Sequence, residues 1–201
     1  MRRRLHSTDT STTDEDDAAV IARSLSDPER FAVVFDRHAA PIHRYLARRL
    51  GGDVADDLVG ETFLTAFRRR PNYDTQHRNA LPWLYGIATH LIAQHHRDAA
   101  RAFRPRAVAP DLACHADQVA ADVSAGALRD ELRAGLDALN DGDRNVLLLV
   151  AQEELTYEQV AAALQIPVGT VRSRLHRART TLRAALGGTN PLHLIEEARH
   201  G

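Results

Sequence analysis

Apolar residues recur at steps of three and four along two long stretches of this chain, and between the stretches the rhythm stops. This pattern constrains the fold more than any other feature. Side chains three and four apart share one face of a helix, whereas a half-buried strand needs strict alternation. Phe31, Val34, Phe35, His38, Ile42, Tyr45, Leu46 and Leu50 make a first stripe, and Gly51-Gly52 ends it. Asp53 then has the side chain of a helix N-cap. Val54, Leu58, Val59, Thr62, Phe63, Ala66 and Phe67 make a second stripe, broken by the loop Pro71-Asn72-Tyr73-Asp74. Pro82 suits the first turn of a third helix, striped by Leu84, Ile87, Ala88, Leu91 and Ile92.

Around residues 104–126 the periodicity fades, and Pro105, Pro110 and Gly126 punctuate an Ala- and Asp-rich stretch that reads as a linker. Leu128, Leu132, Leu136 and Leu139 restart the helical rhythm. Asn140-Asp141-Gly142-Asp143 reads as a turn, and Val146 to Val150 as a buried helix core. Thr156-Tyr157-Glu158-Gln159 is a capping box: a hydroxyl at the cap and an amide three residues on satisfy each other's backbone donors. Pro167-Val168-Gly169 separates that short helix from a last one ending near Gly187-Gly188. No β-alternation of useful length and no internal repeat is present. The expected fold is all-α, two small helical domains joined by a flexible linker. Its divisions are a disordered tail at 1–17, a first domain at 18–104, a linker at 105–125, a second domain at 126–186 and a C-terminal tail at 187–201.

Composition sets limits. At 201 residues, one domain or two small ones are expected. The single cysteine, Cys114, excludes an intrachain disulfide and a four-cysteine zinc site. No apolar run reaches the ~18 residues of a membrane span. The N-terminal Met1-Arg2-Arg3-Arg4-Leu5-His6-Ser7 turns polar where a signal peptide needs an apolar stretch, so a cytoplasmic setting is expected. Every one of the 26 basic residues is arginine, a bias that fits a GC-rich genome and weakens arginine as evidence for recognition. A net charge of −1 argues, taken alone, against a nucleic-acid binder.

The location of the charges reverses that inference. In the last helix Val168, Val171, Leu175, Ala178, Leu182 and Leu186 form one narrow stripe, and Arg172, Ser173, His176, Arg177, Thr180 and Arg183 fall opposite. From Ala161 to Leu186 there are five arginines and no acid. A merely solvated face usually mixes signs. A capped short helix, a turn and a second helix with a basic outer face have the form of a helix-turn-helix, whose second helix fits a major groove ~12 Å wide. The acids gather elsewhere: in Asp14-Glu15-Asp16-Asp17, between Ala107 and Asp143, and on the second stripe's helix. A neutral total is thus a cancellation between segregated surfaces.

The segment Leu155-Thr156-Tyr157-Glu158-Gln159-Val160-Ala161, followed by Ile166-Pro167-Val168-Gly169-Thr170-Val171-Arg172-Ser173-Arg174-Leu175-His176-Arg177-Ala178-Arg179, closely resembles the DNA-binding domain of extracytoplasmic-function (ECF) RNA polymerase sigma factors of the sigma-70 family. The N-terminal half resembles the same family in Phe35-Asp36-Arg37-His38 with Tyr45-Leu46, in Asp56-Asp57-Leu58-Val59-Gly60-Glu61-Thr62-Phe63, and in Pro82-Trp83-Leu84-Tyr85-Gly86-Ile87-Ala88-Thr89. The resemblance spans roughly residues 28–186 and implies a sigma-2 domain, a linker and a sigma-4 domain. The implied function is to bind core RNA polymerase, recognise −10 and −35 promoter elements and open the DNA, without being an enzyme.

The resemblance also assigns roles. Asp53, Asp56, Asp57, Leu58 and Glu61 would dock core polymerase on the basic β′ clamp helices, with the β flap as a further contact. Acids in a helix's first turns also suit its dipole without any partner. Gly60 stands where the family often has glutamine, and Gln165 where it usually has glycine. Asn72, Tyr73 and Asn79, in a loop with Asp74, Gln76 and His77, would meet the melted −10 element. Trp83 and Tyr85 would form an aromatic wall for flipped bases, with Trp83 equally suited to the core. His95, His96, Arg97 and Arg101, with Arg104 and Arg106, would hold phosphates. For the −35 element, Arg172, Ser173, His176 and Arg177 would face the groove and Thr170, Arg179 and Arg183 the phosphates, with Arg174 nearer the packed flank. An anti-sigma protein is the further implied partner; no cofactor and no membrane insertion are expected.

Two other readings stay open on the residues alone. Eleven histidines suggest a metal-dependent enzyme, but His90, His95 and His96 do not share one helix face as an i, i+4 pair would. A free-standing helix-turn-helix regulator accounts for the C-terminal half and leaves the acidic helix and the Trp83 segment without a role.

Overall fold

A computed structural model describes residues 15–102 and 131–186. The tail at 1–14, the linker at 105–125 with Cys114, the basic positions Arg104 and Arg106, and the tail at 187–201 lie outside the described residues. Those described form helices and turns with no strand, in the two helical domains that the periodicity implies.

The first domain contains α1 (Asp17–Ser24), a 3₁₀ turn at Pro28–Phe31, α2 (Ala32–Leu50), α3 (Gly52–Arg69) and α4 (Leu81–Ala102). Helix α1 starts inside the stretch expected to be a disordered tail. Asp16 caps it, its side chain accepting from the Ala19 amide at 2.9 Å. Asp17 is buried and accepts from Arg37 Nη1 at 3.0 Å, His38 Nε2 at 2.6 Å and the Ala80 amide at 2.9 Å. One carboxylate thereby joins α1, α2 and the entry to α4. His38, read as part of an apolar stripe, is a partner of this acid. Gly51 ends α2 at φ +86°, a conformation that L side chains rarely adopt, and its amide donates to Ala47 O at 2.9 Å. The chain turns so tightly there that Gly51, not Asp53, is the N-cap of α3. Ile21, Ile42, Tyr45, Leu46, Leu84 and Ile92 fill the core, each almost fully buried. Shortening one of them, such as Leu46→Ala, removes about 2–5 kcal/mol.

The second domain contains α5 (helical over 131–137), α6 (Asp141–Ala151), α7 (Tyr157–Leu164) and α8 (Val168–Ala185). Asn140, expected within a turn, caps α6 by accepting from the Asp143 amide at 2.9 Å, so the Asn-Asp-Gly-Asp segment is the helix's first turn. Arg144 donates to the carbonyls of Leu136 and Asp137 at 2.9 and 3.1 Å, closing the end of α5. The capping box forms: Thr156 Oγ1 accepts from the Gln159 amide, and Gln159 Oε1 accepts from the Thr156 amide. Gln165 ends α7 in the left-handed conformation, at about 1 kcal/mol for a residue with a Cβ.

The two domains touch through α4 and α7. Glu153 accepts from Arg48 Nη1 at 3.1 Å and from the Tyr85 hydroxyl, and Arg49 Nη2 donates to Asn145 Oδ1 at 2.9 Å. No helix among the described residues is long and apolar enough to cross a membrane.

Candidate nucleic-acid and polymerase interfaces

Helix α8 separates its two faces cleanly. Val171, Leu175, Ala178 and Leu182 are at most 1% exposed, packed on α6 and α7. Arg172, Ser173, His176, Arg177 and Arg183 are exposed, while Thr170 and Arg179 are half-buried at the margins. Five polar side chains therefore lie on one open face, because each apolar residue between them is committed to the core. Two arginines on this helix are already engaged. Arg177 forms a two-bonded fork with Asp143, Nε to Oδ2 at 3.1 Å and Nη2 to Oδ1 at 2.9 Å. The fork holds the Asp143 carboxyl below its ordinary range, with help from Asn140. Arg174 lies over Gly142 at the start of α6, so it serves the packed flank. Arg179 Nε is buried without a hydrogen-bond partner.

The loop before α4 exposes Asn72 and Asn79. Tyr73 is half-buried against Trp83, ring centroids 4.8 Å apart, and its hydroxyl donates to His77 O. Burial, with Asp17 and Asp74 nearby, raises the Tyr73 hydroxyl above its ordinary value and keeps it a donor. These residues can act as one small aromatic ledge. Tyr85 does not join it. It is 1% exposed, edge-on to Tyr45 at 5.2 Å, with its hydroxyl given to Glu153. Both domains enclose it while α4 and α7 touch, so in this arrangement Tyr85 stands apart from the Tyr73–Trp83 pair. Farther along α4, Arg97 and Arg101 are exposed, and His95 and His96 are half-buried with ring centroids 6.1 Å apart. Burial lowers the His96 ring below its ordinary value and favours its neutral form. Among the described residues, no group of three or more His, Cys, Asp or Glu side chains could hold a metal ion.

On α3, Asp53, Asp56, Asp57 and Glu61 are all exposed. Asp56 meets His43 at 3.0 Å. Leu58 is 8% exposed and belongs to the core, so it supports the acidic face from beneath and offers little contact itself. Beside this acidic face stand two exposed apolar residues that the periodicity did not single out as surface: Leu64, 47% open, one turn beyond Glu61, and Phe35, 43% open and edge-on to Phe63 at 4.8 Å; Leu25, just after α1, is a third. Leu64 falls outside the second stripe, which was its only signal in the sequence.

Comparison with known proteins gives the family. Residues 34–102 match the family described as Sigma-70 region 2, and residues 129–182 match Sigma-70, region 4. The chain is 37% identical over 155 residues to the ECF RNA polymerase sigma factor SigE of Mycolicibacterium smegmatis, covering 73% of this chain and 58% of that relative. It is 35% identical over 165 residues to the RNA polymerase sigma factor CarQ of Myxococcus xanthus, covering 79% of this chain and 90% of CarQ. Among solved structures it resembles CnrH, determined in complex with the cytosolic domain of CnrY. The TM-score is 0.60 at 25% identity, over 85% of this chain and 97% of CnrH. With both domain matches in order and CarQ matched over nearly its whole length, the chain belongs to the ECF sigma factors of the sigma-70 family.

Proposed function

We propose that this chain, mounted on core RNA polymerase, presents α8 to the −35 element and the Tyr73–Trp83 ledge and α4 to the melted −10 element. The carrying observation is α8 itself: an uninterrupted polar face of Arg172, Ser173, His176, Arg177 and Arg183 over a fully buried stripe. Arg172, Ser173, His176 and Arg177 face base edges, while Thr170, Arg179 and Arg183 hold phosphates, which position without reading sequence. Asn72, Tyr73, Asn79 and Trp83 receive unstacked bases, and His95, His96, Arg97 and Arg101 track the strand. Asp53, Asp56, Asp57 and Glu61 dock a basic helical surface of the polymerase. Catalysis remains with the polymerase, and the working compartment is the cytoplasm. A protein partner that occupies these surfaces would act as an anti-sigma factor, a role compatible with the CnrH–CnrY pairing.

Two-element recognition requires the domains to part. Elements about 25 base pairs apart lie roughly 85 Å apart along B-DNA at ~3.4 Å per pair. Residues 103–130 can span roughly 90 Å when extended. The chain is long enough to reach both elements, but not while α4 and α7 touch. Run-off transcription with purified chain and core polymerase tests the reading. RNA starting at a matched promoter is expected; tight DNA binding by the chain alone, with no initiation under any condition, would favour a free-standing regulator.

A further inference from the structure

The face of α8 contains an arginine whose geometry is set before any DNA arrives. Asp143 is 3% exposed and paired with the helix cap Asn140: its amide donates to Asn140 Oδ1 at 2.9 Å, and its Oδ2 accepts from Asn140 Nδ2 at 2.8 Å. Its two oxygens take Arg177 Nη2 and Nε. Arg177 nevertheless keeps 58% of its side chain in solvent.

A guanidinium is a planar fork with more than one usable edge. Asp143 occupies the side edge, formed by Nε and Nη2. The end edge, formed by Nη1 and the second Nη2 proton, points away from the carboxylate. That edge presents two parallel donors, the pattern that fits guanine O6 and N7. A free arginine on a helix surface has several rotors to order upon binding. Here a buried acid, its carboxylate held by Asn140, orders them in advance. Electrostatics sharpens the point, because a carboxylate next to a DNA-facing surface opposes phosphate binding. Asp143 therefore weakens general DNA attraction, and what it supplies in return is orientation.

We propose that Asp143 is a positioning residue for promoter recognition, holding the side edge of Arg177 so that the end edge reads a guanine in the −35 element. The proposal rests on the reading of α8 as the groove helix.

The test uses the full chain with core polymerase in run-off transcription, on promoters in which each −35 base pair is substituted in turn. Asp143→Asn keeps the size of the side chain but removes one of the two acceptors that the fork needs. Arg177→Lys keeps the charge but has no second edge. Both variants are expected to lose preference for guanine at one and the same base pair, roughly tenfold. The double variant is expected to be no worse than Arg177→Lys alone. Asp143→Ser serves in place of Asp143→Asn if that variant does not fold. Three outcomes would overturn the proposal: the Asp143 variant raising activity on every sequence alike, as charge removal alone would; both variants weakening all sequences equally with a lowered melting temperature, as a purely structural clamp would; or Arg177→Lys keeping its preference. Arg172→Ala separates this proposal from its premise. If the wild type shows no −35 preference, or Arg172→Ala leaves it untouched, the assignment of α8 fails. If Arg172→Ala relaxes it and Arg177→Lys does not, only the Asp143 proposal fails.

Discussion

A Cβ placed on Gly86 would stand 2.2 Å from the carbonyl oxygen of Ala163, so α4 and α7 meet backbone against backbone. The nearest neighbours of that position all belong to Ala163, in the other domain, and backbone cannot swing aside as a side chain can. Gly86→Ala is therefore expected to separate the domains while strengthening α4 by about 1 kcal/mol of helix propensity. The only tryptophan, Trp83, lines the adjoining cleft with Arg69, Gly86 and Arg174, which makes it a reporter. Red-shifted Trp83 emission and a longer distance between spin labels on α2 and α8 are expected. Unchanged emission and distance would show that the contact does not hold the domains together.

Glu153 makes the second cross-domain test. A carboxylate with 10% side-chain exposure needs partners, and both Arg48 and Tyr85 come from the first domain. Glu153→Ala leaves the Tyr85 hydroxyl without its acceptor and is expected to weaken docking by about 1–3 kcal/mol. Melting each domain with its own probe checks this. Loss of joint unfolding is the expected sign, and a fully concerted melt at wild-type temperature would contradict it.

Asp17 gives a pH prediction. Burial alone would raise its pKa, but hydrogen bonds from His38, the Ala80 amide and Arg37 win and lower it to about 2. A carboxyl depressed on folding contributes stability that is present above its ordinary value and lost as pH falls through the folded one. The contribution is about 2 kcal/mol. Wild-type stability is expected to decline between about pH 4 and pH 2, and Asp17→Asn to be less stable at neutral pH with much of that acid-range decline removed. Parallel denaturant titrations of both proteins from pH 7 to pH 2 check it; an equal decline in both would contradict the assignment.

Asp17 also marks the limit of sequence reading in this fold. The stripe of α8 was legible because Val171, Leu175, Ala178 and Leu182 stand out against an arginine-rich background, and the box at Thr156 because both partners lie three residues apart. Asp17 ends an acidic run that reads as a solvated tail, and its partners lie at positions 37, 38 and 80. Asp143 is similar, its partner Arg177 being 34 residues on. Periodicity gives the angle of a side chain around its own helix and nothing about the element opposite. The same limit explains Tyr85, which the second domain covers, and Asp53, whose capping role falls to a glycine two residues earlier.

The exposed face of α3 yields the last prediction. Asp57, Glu61 and Leu64 follow one another at helical spacing, all open to solvent, so two acids border an apolar side chain that is 47% exposed. A surface that docks a basic helical partner uses the acids for encounter and the leucine for dry contact. Glu61→Arg reverses one charge and is expected to slow association with core polymerase several-fold, more strongly at low salt. Leu64→Ala is expected to leave the association rate near wild type and to speed dissociation, since lost apolar burial appears mainly in the off-rate. Gly60 has open space around it, so Gly60→Gln fits without a clash and adds a polar arm to the same face. It is expected to bind core polymerase at least as tightly as the wild type. Surface-immobilised core polymerase, titrated with each full-length variant at two salt concentrations, resolves the two rates. A Leu64→Ala variant with wild-type dissociation would place the docking surface elsewhere on the domain.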